Sequence, residues 1–287
     1  MALGLNKTKR RIASVKSTQK ITKAMGMIAS VKLKRCKDKF EQSELYRGQI
    51  GVLASKCLHY APNANHPLCT CKENARGVLY IVITSDLGLC AGYNSNLIKY
   101  AHEQIFYEED SLILIGEKGR HHFSRDPKFE EKIFNFDHLH LGMSIRSCLS
   151  FADEIAEFWK QNNFRQIVIV YTHYVNSLRF EPHKAVLLPL SPSKELPEYE
   201  SYAPPLFEPE AGQTLDEVLR YYLMGTFYNL LSESELSEQS SRRNAMDNAN
   251  DNADELLEKL TIEYNKARQS AITQEIVEVV SGASNAS

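Results

Sequence analysis

The stretch "DNANDNADELLEKLTIEYNKARQSAITQEIVEVV", residues 247–280, contains neither proline nor glycine. Followed upstream, the same texture reaches Thr214 with one glycine, Gly225, on the way. The 68 residues from 214 to 281 predict a single helix of about 100 Å, at ~1.5 Å per residue. Such a helix exceeds the width of a small domain and cannot bury its apolar face on one. Intrinsic propensity orders an isolated helix only weakly, so a partner is required along its length.

That partner lies at the other end of the chain. No proline occurs from Leu5 to His59, and Ile12, Val15, Ile21, Met25, Ile28, Leu33, Cys36 and Phe40 return at helical spacing. A second helix of about 80 Å is predicted there. The two arms flank a middle of different texture, so they can lie antiparallel as a two-helix coiled coil. Ala245, Ala249 and Ala253 form a row of small residues that allows close approach, followed by Leu256, Leu260, Ala267 and Ala271. If residue 58 lies beside 214, facing residue numbers add to about 272 and Leu5 falls opposite about 267. Roughly the last twenty residues then lack a partner helix.

The formal net charge of −2 hides a polarity. Residues 1–40 carry twelve Lys or Arg against one acid, Asp38, while 195–260 carry fifteen acids against four bases. A basic arm facing an acidic arm is expected to set their mutual orientation.

Between the arms, "VLYIVITSD" (78–86), "SLILIGEKG" (111–119), "QIVIVYTHYVN" (166–176) and "AVLLPLSP" (185–192) read as buried strands. Helical patterns at 93–109 and 144–161 separate them, which argues for a small α/β domain with a largely parallel sheet. The proline-rich "SPSKELPEYESYAPPLFEPEAG" (191–212) closes it. The expected division is 1–60 as the first coiled-coil helix, 61–213 as the α/β domain and 214–287 as the second helix.

Composition places the chain among globular proteins, at 43% hydrophobic and 24% charged residues. No apolar run approaches the ~20 residues of a membrane span, and "MALGLNKTKRR" lacks a secretory apolar stretch. Six scattered cysteines suit free thiols in a reducing, cytoplasmic setting. The basic arm has nucleic-acid binding as its rival reading, yet no groove-reading fold accompanies it and the acidic arm can neutralise it. "GLCAGYN" does not match the dinucleotide fingerprint and reads as a tight strand-to-helix turn, with Asn94 or Ser95 near the helix start. Cys57, His59, His66, Cys69 and Cys71 offer zinc-ligand types at unsuitable spacing. His121, His122, His138 and His140 have no acid or nucleophile tied to them. No catalytic, cofactor or metal residue is therefore assigned.

The far tip is different. "SAITQEIVEVVSGASNAS" (270–287) carries Ile272, Ile276, Val277, Val279 and Val280 around much of its circumference. Apolar surface of that kind calls for a covering protein.

"KTKRRIASVKSTQKITKAMGMIASVKLKR", "ITSDLGLCAGYNSNL" and "SEQSSRRNAMDNANDNADELLEKLTIEYNKARQSAITQEIVEVVSGA" together resemble the gamma subunits of F-type, proton-translocating ATP synthases. The resemblance covers both arms and the first strand, in order. It implies a Rossmann-like domain inserted between the coiled-coil helices, and a non-catalytic rotor present once per complex. Its implied partners are an alpha/beta hexamer, an epsilon subunit and a membrane c-ring, at the cytoplasmic face of the bacterial inner membrane. By the same resemblance Met25, Arg242, Gln269, Thr273 and Glu275 meet beta subunits, and Phe207 and Glu208 meet the c-ring and epsilon. The family usually has a basic residue where Leu87 stands and glycine where Ala91 stands. No cysteine-bearing insertion like that of chloroplast relatives occurs between 192 and 214, so thiol control is not expected. A static coiled-coil scaffold or interaction protein is the alternative that shares the same periodicity.

Overall fold

The computed structural model describes residues 2–60, 66–72, 74–105, 108–136, 138–192, 206–208 and 210–284, without the side chains of 2–4, 275, 278 and 281–284. The chain divides into two compact units, one of Val31–Ser241 and one of Met1–Ser30 with Arg242–Ser287. Helix α1 spans Ala2–Tyr60 and helix α5 spans Ala211–Ser284, each as a single helix.

In the unit of Val31–Ser241, a five-stranded sheet has the order β3-β2-β1-β4-β5. Its strands are β1 (Val78–Ile83), β2 (Ser111–Ile115), β3 (Ile133–Phe134), β4 (Gln166–Tyr174) and β5 (Phe180–Leu188). The first four are parallel, with Tyr80 opposite both Leu112 and Val168, and β5 returns antiparallel with Phe180 opposite Tyr174. Every side chain of β1 is buried, the pattern of a central strand covered on both faces.

Alternation along the strands divides the core in two. Leu79, Ile81, Ile83, Ile113, Ile167 and Ile169 point to the larger half. There α4 (Ile145–Gln161) supplies Phe151, Ile155 and Trp159, α1 supplies Ala54 and Cys57, and α5 supplies Leu215 through Leu231. The Trp159 indole N–H is satisfied by the Pro67 carbonyl at 2.9 Å. The opposite half holds Val78, Tyr80, Val82, Leu112 and Val170 beneath α2 (Tyr93–Gln104) and α3 (Glu117–Phe123).

Two expectations shift here. The run 111–119 is strand only to Ile115, because Gly116 at φ +90° turns the chain where an added Cβ would stand 2.2 Å from the Thr84 carbonyl oxygen. The Gly119 amide then donates to Thr84 Oγ1 at 2.8 Å, and the remainder becomes α3. The last strand begins at Phe180, five residues ahead of the apolar run, since an antiparallel edge tolerates Pro182 beside Thr172.

Within this unit α1 and α5 pack antiparallel. Lys39 Nζ meets Glu235 Oε2 at 2.9 Å, Asn229 Nδ2 donates to Ser43 Oγ at 3.0 Å, and the Tyr46 ring lies against Gly225.

In the unit of Met1–Ser30 with Arg242–Ser287, Gln19 Nε2 donates to Asp254 Oδ1 at 2.6 Å and Thr22 Oγ1 donates to Asn250 Oδ1 at 2.5 Å. Gly26 faces Met246. Facing numbers add to about 272, the register expected from the arm lengths. Among the less exposed positions of α1 in this unit, residues 5, 8, 12, 15, 19, 22, 26 and 29 step by three and four, which is the heptad of a left-handed coil, with Met25 and Ser30 beside them.

Candidate interaction surfaces

Much of the coiled-coil seam is polar. Gln19, Thr22, Asn250 and Asp254 hydrogen-bond across it, with Gly26, Ala29 and Met246 as its small or buried members. Ile21, Met27 and Ile28 lie off the seam and are more than half exposed. Leu256 is also exposed, and Leu257 and Leu260 take the inner positions. Helical spacing alone placed Ile21, Ile28 and Leu256 inside, because it fixes a period and leaves the phase open by one residue.

Charge pairing between the arms, present at Lys39–Glu235 in the other unit, differs from expectation in the unit of Met1–Ser30 with Arg242–Ser287. Among the described residues, no lysine or arginine of 7–23 is ion-paired to α5, and the ion pairs seen in this unit, Arg243–Asp247 and Lys259–Glu255, lie within α5. Lys7, Lys9, Arg10, Arg11, Lys16, Lys20 and Lys23 are exposed. The outer face of α1 thus presents cations interleaved with apolar side chains.

Past the residues that face the start of α1, the helix α5 remains apolar and uncovered. Ile272, Ile276, Val277, Val279 and Val280 are all between 48% and 72% exposed. Gln269 and Thr273 are exposed on the same turns, where Thr273 Oγ1 donates to the Gln269 carbonyl at 3.0 Å. The Glu275 side chain lies outside the described residues. Met25 is half-buried beside the seam. Arg242, at 7% exposure, turns inward.

In the other unit, Phe207 is partly buried against the larger core and Glu208 is exposed, its carbonyl accepting from Thr214 Oγ1 at 3.3 Å. The motif "SDLGLCAGYN" forms a closed network. The Ser85 amide donates to Asn94 Oδ1 at 3.0 Å, Asn94 Nδ2 donates to Ser85 Oγ at 2.8 Å, and Ser85 Oγ donates to the Leu87 carbonyl at 2.6 Å. Asn94 therefore ties the turn to the strand end, and the N-cap of α2 is Gly92, without a side-chain cap.

Leu89 and Ala91 sit at φ +62° and +45° in this turn. That backbone favours glycine and leaves Ala91 strained by about 1 kcal/mol.

The loop is clamped by a serine stripe of α5 that sequence reasoning missed. Ser234, Ser237 and Ser241 recur at i, i+3 and i+7. Ser234 Oγ meets the Tyr93 hydroxyl at 2.8 Å, Ser237 Oγ donates to the Thr172 carbonyl at 3.1 Å, and Ser241 Oγ donates to the Cys90 carbonyl at 2.7 Å. A stripe of small polar residues at helical spacing was the available signal; its burial was not expected because "SESELSEQSSR" looks solvated.

Of the histidines weighed for acid–base chemistry, His138 has Glu154 Oε2 at 3.2 Å on an exposed surface, and the zinc reading meets an obstacle at His66. Both nitrogens of His66 are engaged, by Asp216 at 2.8 Å and by the Leu68 amide at 3.1 Å. Among the described residues no group of three His, Cys, Asp or Glu could hold a metal ion, and no helix is long and apolar enough to cross a membrane.

A family model described as ATP synthase matches residues 4–285. The ATP synthase gamma chain of Heliobacterium modesticaldum is 40% identical, covering 98% of both chains, and that of Desulforamulus reducens is 36% identical over 96% of both. A chain from the central stalk and c-ring structure of Tetrahymena thermophila mitochondrial ATP synthase superposes with a TM-score of 0.59 at 25% identity, over 80% of this chain and 99% of that one. A chain of the Euglena gracilis mitochondrial ATP synthase reaches 0.65 at 18% identity, over 99% and 95%, which shows the shared fold. The antiparallel α1–α5 register, the inserted sheet and the full-length similarity lead to one conclusion: the chain belongs to the ATP synthase gamma-chain family.

Proposed function

We propose that this chain is the central-stalk rotor of an ATP synthase, carrying rotation between a proton-driven membrane c-ring and an alpha/beta catalytic hexamer. The observation that carries the reading is the uncovered apolar end of α5, Ile272 to Val280, which needs a bearing supplied by other polypeptides. Nucleotide chemistry is assigned to those partners and none to this chain. Its position is peripheral, on the cytoplasmic face of a bacterial membrane.

Physics sets what such a shaft must do. One charge crossing ~100 mV releases about 2.3 kcal/mol, so several must be accumulated for each ATP. An asymmetric shaft does this by favouring a different state in each catalytic subunit, and it can shift each only by its differential contact energy. Met25, Gln269, Thr273 and Glu275 are proposed to meet the beta subunits, along with Arg242, whose inward orientation makes it a support for its neighbours. Residues 61–213 are proposed as the foot, where Phe207 and Glu208 meet the c-ring and an epsilon subunit.

The test is reconstitution. ATP hydrolysis by purified alpha and beta subunits is measured with and without this chain, and the chain is expected to join the hexamer and raise turnover. A hexamer that excludes it, or one whose rate is unaltered, refutes the rotor and favours a static scaffold. In the complete membrane-bound complex, Gln269→Ala and Thr273→Ala are expected to lower protons moved per ATP with assembly retained; an unchanged ratio in both removes them from the contact surface.

A further inference from the structure

Between α2 and α3, beside Asn94, lies an open hollow of about 910 Å³. That is within the usual range for small-molecule sites, ~300–1,000 Å³. Lys99 from α2, and Lys118, His121 and Arg125 from α3 and the residues after it, line its walls. Among the described residues none of these four side chains is paired with a carboxylate. The only acid in the lining is Asp126, whose Oδ1 already accepts the Lys128 amide at 3.1 Å.

Several cations of this unit have fixed partners. Arg220 is held bidentately by Asp153, Arg179 by Glu181, Lys39 by Glu235, and Lys72 by the carbonyls of Lys160 and Asn162. The hollow is where positive charge converges without a neutralising partner, and like charges gathered in one concavity raise the local concentration of anions. Its floor is apolar, formed by Ile98, Pro127 and the His102 ring, which stacks on Phe123 at 4.9 Å. His102 Nε2 lies 3.0 Å from His122 Nε2, so one of these nitrogens must accept and the pair cannot hold protons on both.

We propose that this hollow binds a small polyphosphate anion, either the triphosphate of a nucleotide or free tripolyphosphate. Lysine and arginine are donors only, and phosphate oxygens are acceptors only, so the match is chemical as well as electrostatic. An acidic peptide fits less well. Both walls are helices whose backbone groups bond internally, leaving no strand edge to hold a main chain.

The purified full-length chain is titrated calorimetrically with tripolyphosphate at about 0.15 M ionic strength. Saturable binding is expected, with a dissociation constant below about 1 mM. Lys99→Glu and Arg125→Glu are each expected to weaken it at least about tenfold, and Lys259→Glu, on α5, to leave it unchanged. Proton NMR supplies a reading that needs no variant: the imidazole signals of His102, His121 and His122 should move on titration while those of His59 and His183 stay. ATP in place of tripolyphosphate separates the sources, since equal affinity means that the phosphate chain alone is recognised and tighter ATP means that the base occupies the Ile98–Pro127 floor. The proposal is overturned by absence of saturation with both ligands, by equal losses in Lys259→Glu and Lys99→Glu, by histidine shifts spread over the whole chain, or by saturable binding of polyglutamate alone.

Discussion

The Tyr93 hydroxyl meets Ser234 Oγ at 2.8 Å across 141 residues of sequence, and it also donates to the Ser234 carbonyl at 3.2 Å. Both residues are buried, so this contact pins the turn after β1 to α5 inside a low-dielectric core. Tyr93→Phe should cost about 1–2 kcal/mol, because a buried acceptor loses its donor while the ring still fills its space. The urea midpoint of the purified chain measures this. A midpoint matching the parent would mean that the hydroxyl contributes nothing to the clamp.

Ala91→Gly should act in the opposite direction. At φ +45° an alanine is strained by about 1 kcal/mol, and glycine relieves that strain at the expense of a more flexible unfolded chain. The expected result is a gain of a few tenths to about 1 kcal/mol, read from the same denaturation curves. A loss of stability would show that the Ala91 methyl makes packing contributions larger than the strain.

Glu233 gives a pH signature. It is 5% exposed, and burial raises its carboxyl above the ordinary 4.5, against the lowering pull of the Tyr174 amide at 3.1 Å and of His173. Glu44 adds to the rise. Between 4.5 and the raised value the native chain holds a proton that the unfolded chain releases. The contribution to stability is thus fully present below 4.5 and declines as pH rises through that window. Glu233→Gln keeps an acceptor for Tyr174 and removes the titration. The parent's urea midpoint should fall relative to the variant as pH climbs from 4.5, and parallel profiles would rule this out.

The thiols should react unequally. Burial pushes Cys36 and Cys148 up to about 12 and Cys69 to about 11, while Cys71 is the exposed one of the six free cysteines. Since the thiolate is the nucleophile, iodoacetamide at neutral pH should label Cys71 first. Peptide mass spectrometry reads the order, and equally fast labelling of Cys36 or Cys148 would show that their sites open often.

Much of this architecture was legible before any coordinates. Two proline-free arms around a β-branched middle fixed the antiparallel pairing, and arm length alone gave the register that Thr22–Asn250 and Ser43–Asn229 display. What escaped depended on neighbours distant in sequence. Helix α3 followed from a glycine at φ +90°, which local apolarity in "SLILIGEKG" disguised as strand. Strand β3 has two residues, too few for any pattern. Ile21 and Leu256 look like seam residues by spacing and lie outside it. The cationic hollow joins Lys99 to Arg125, positions whose proximity depends on how two helices lie over one sheet face.

The sheet's larger core draws Ala54 and Cys57 from α1 and Leu215 to Leu231 from α5, so its last members are made some forty residues after β5. At ~5–20 residues per second, a nascent chain emerging from the ribosome carries a finished set of strands whose larger core lacks the α5 share of its cover for several seconds. Aggregation is most threatening in that interval. A product terminated before residue 215 lacks that cover for good and should accumulate as insoluble material.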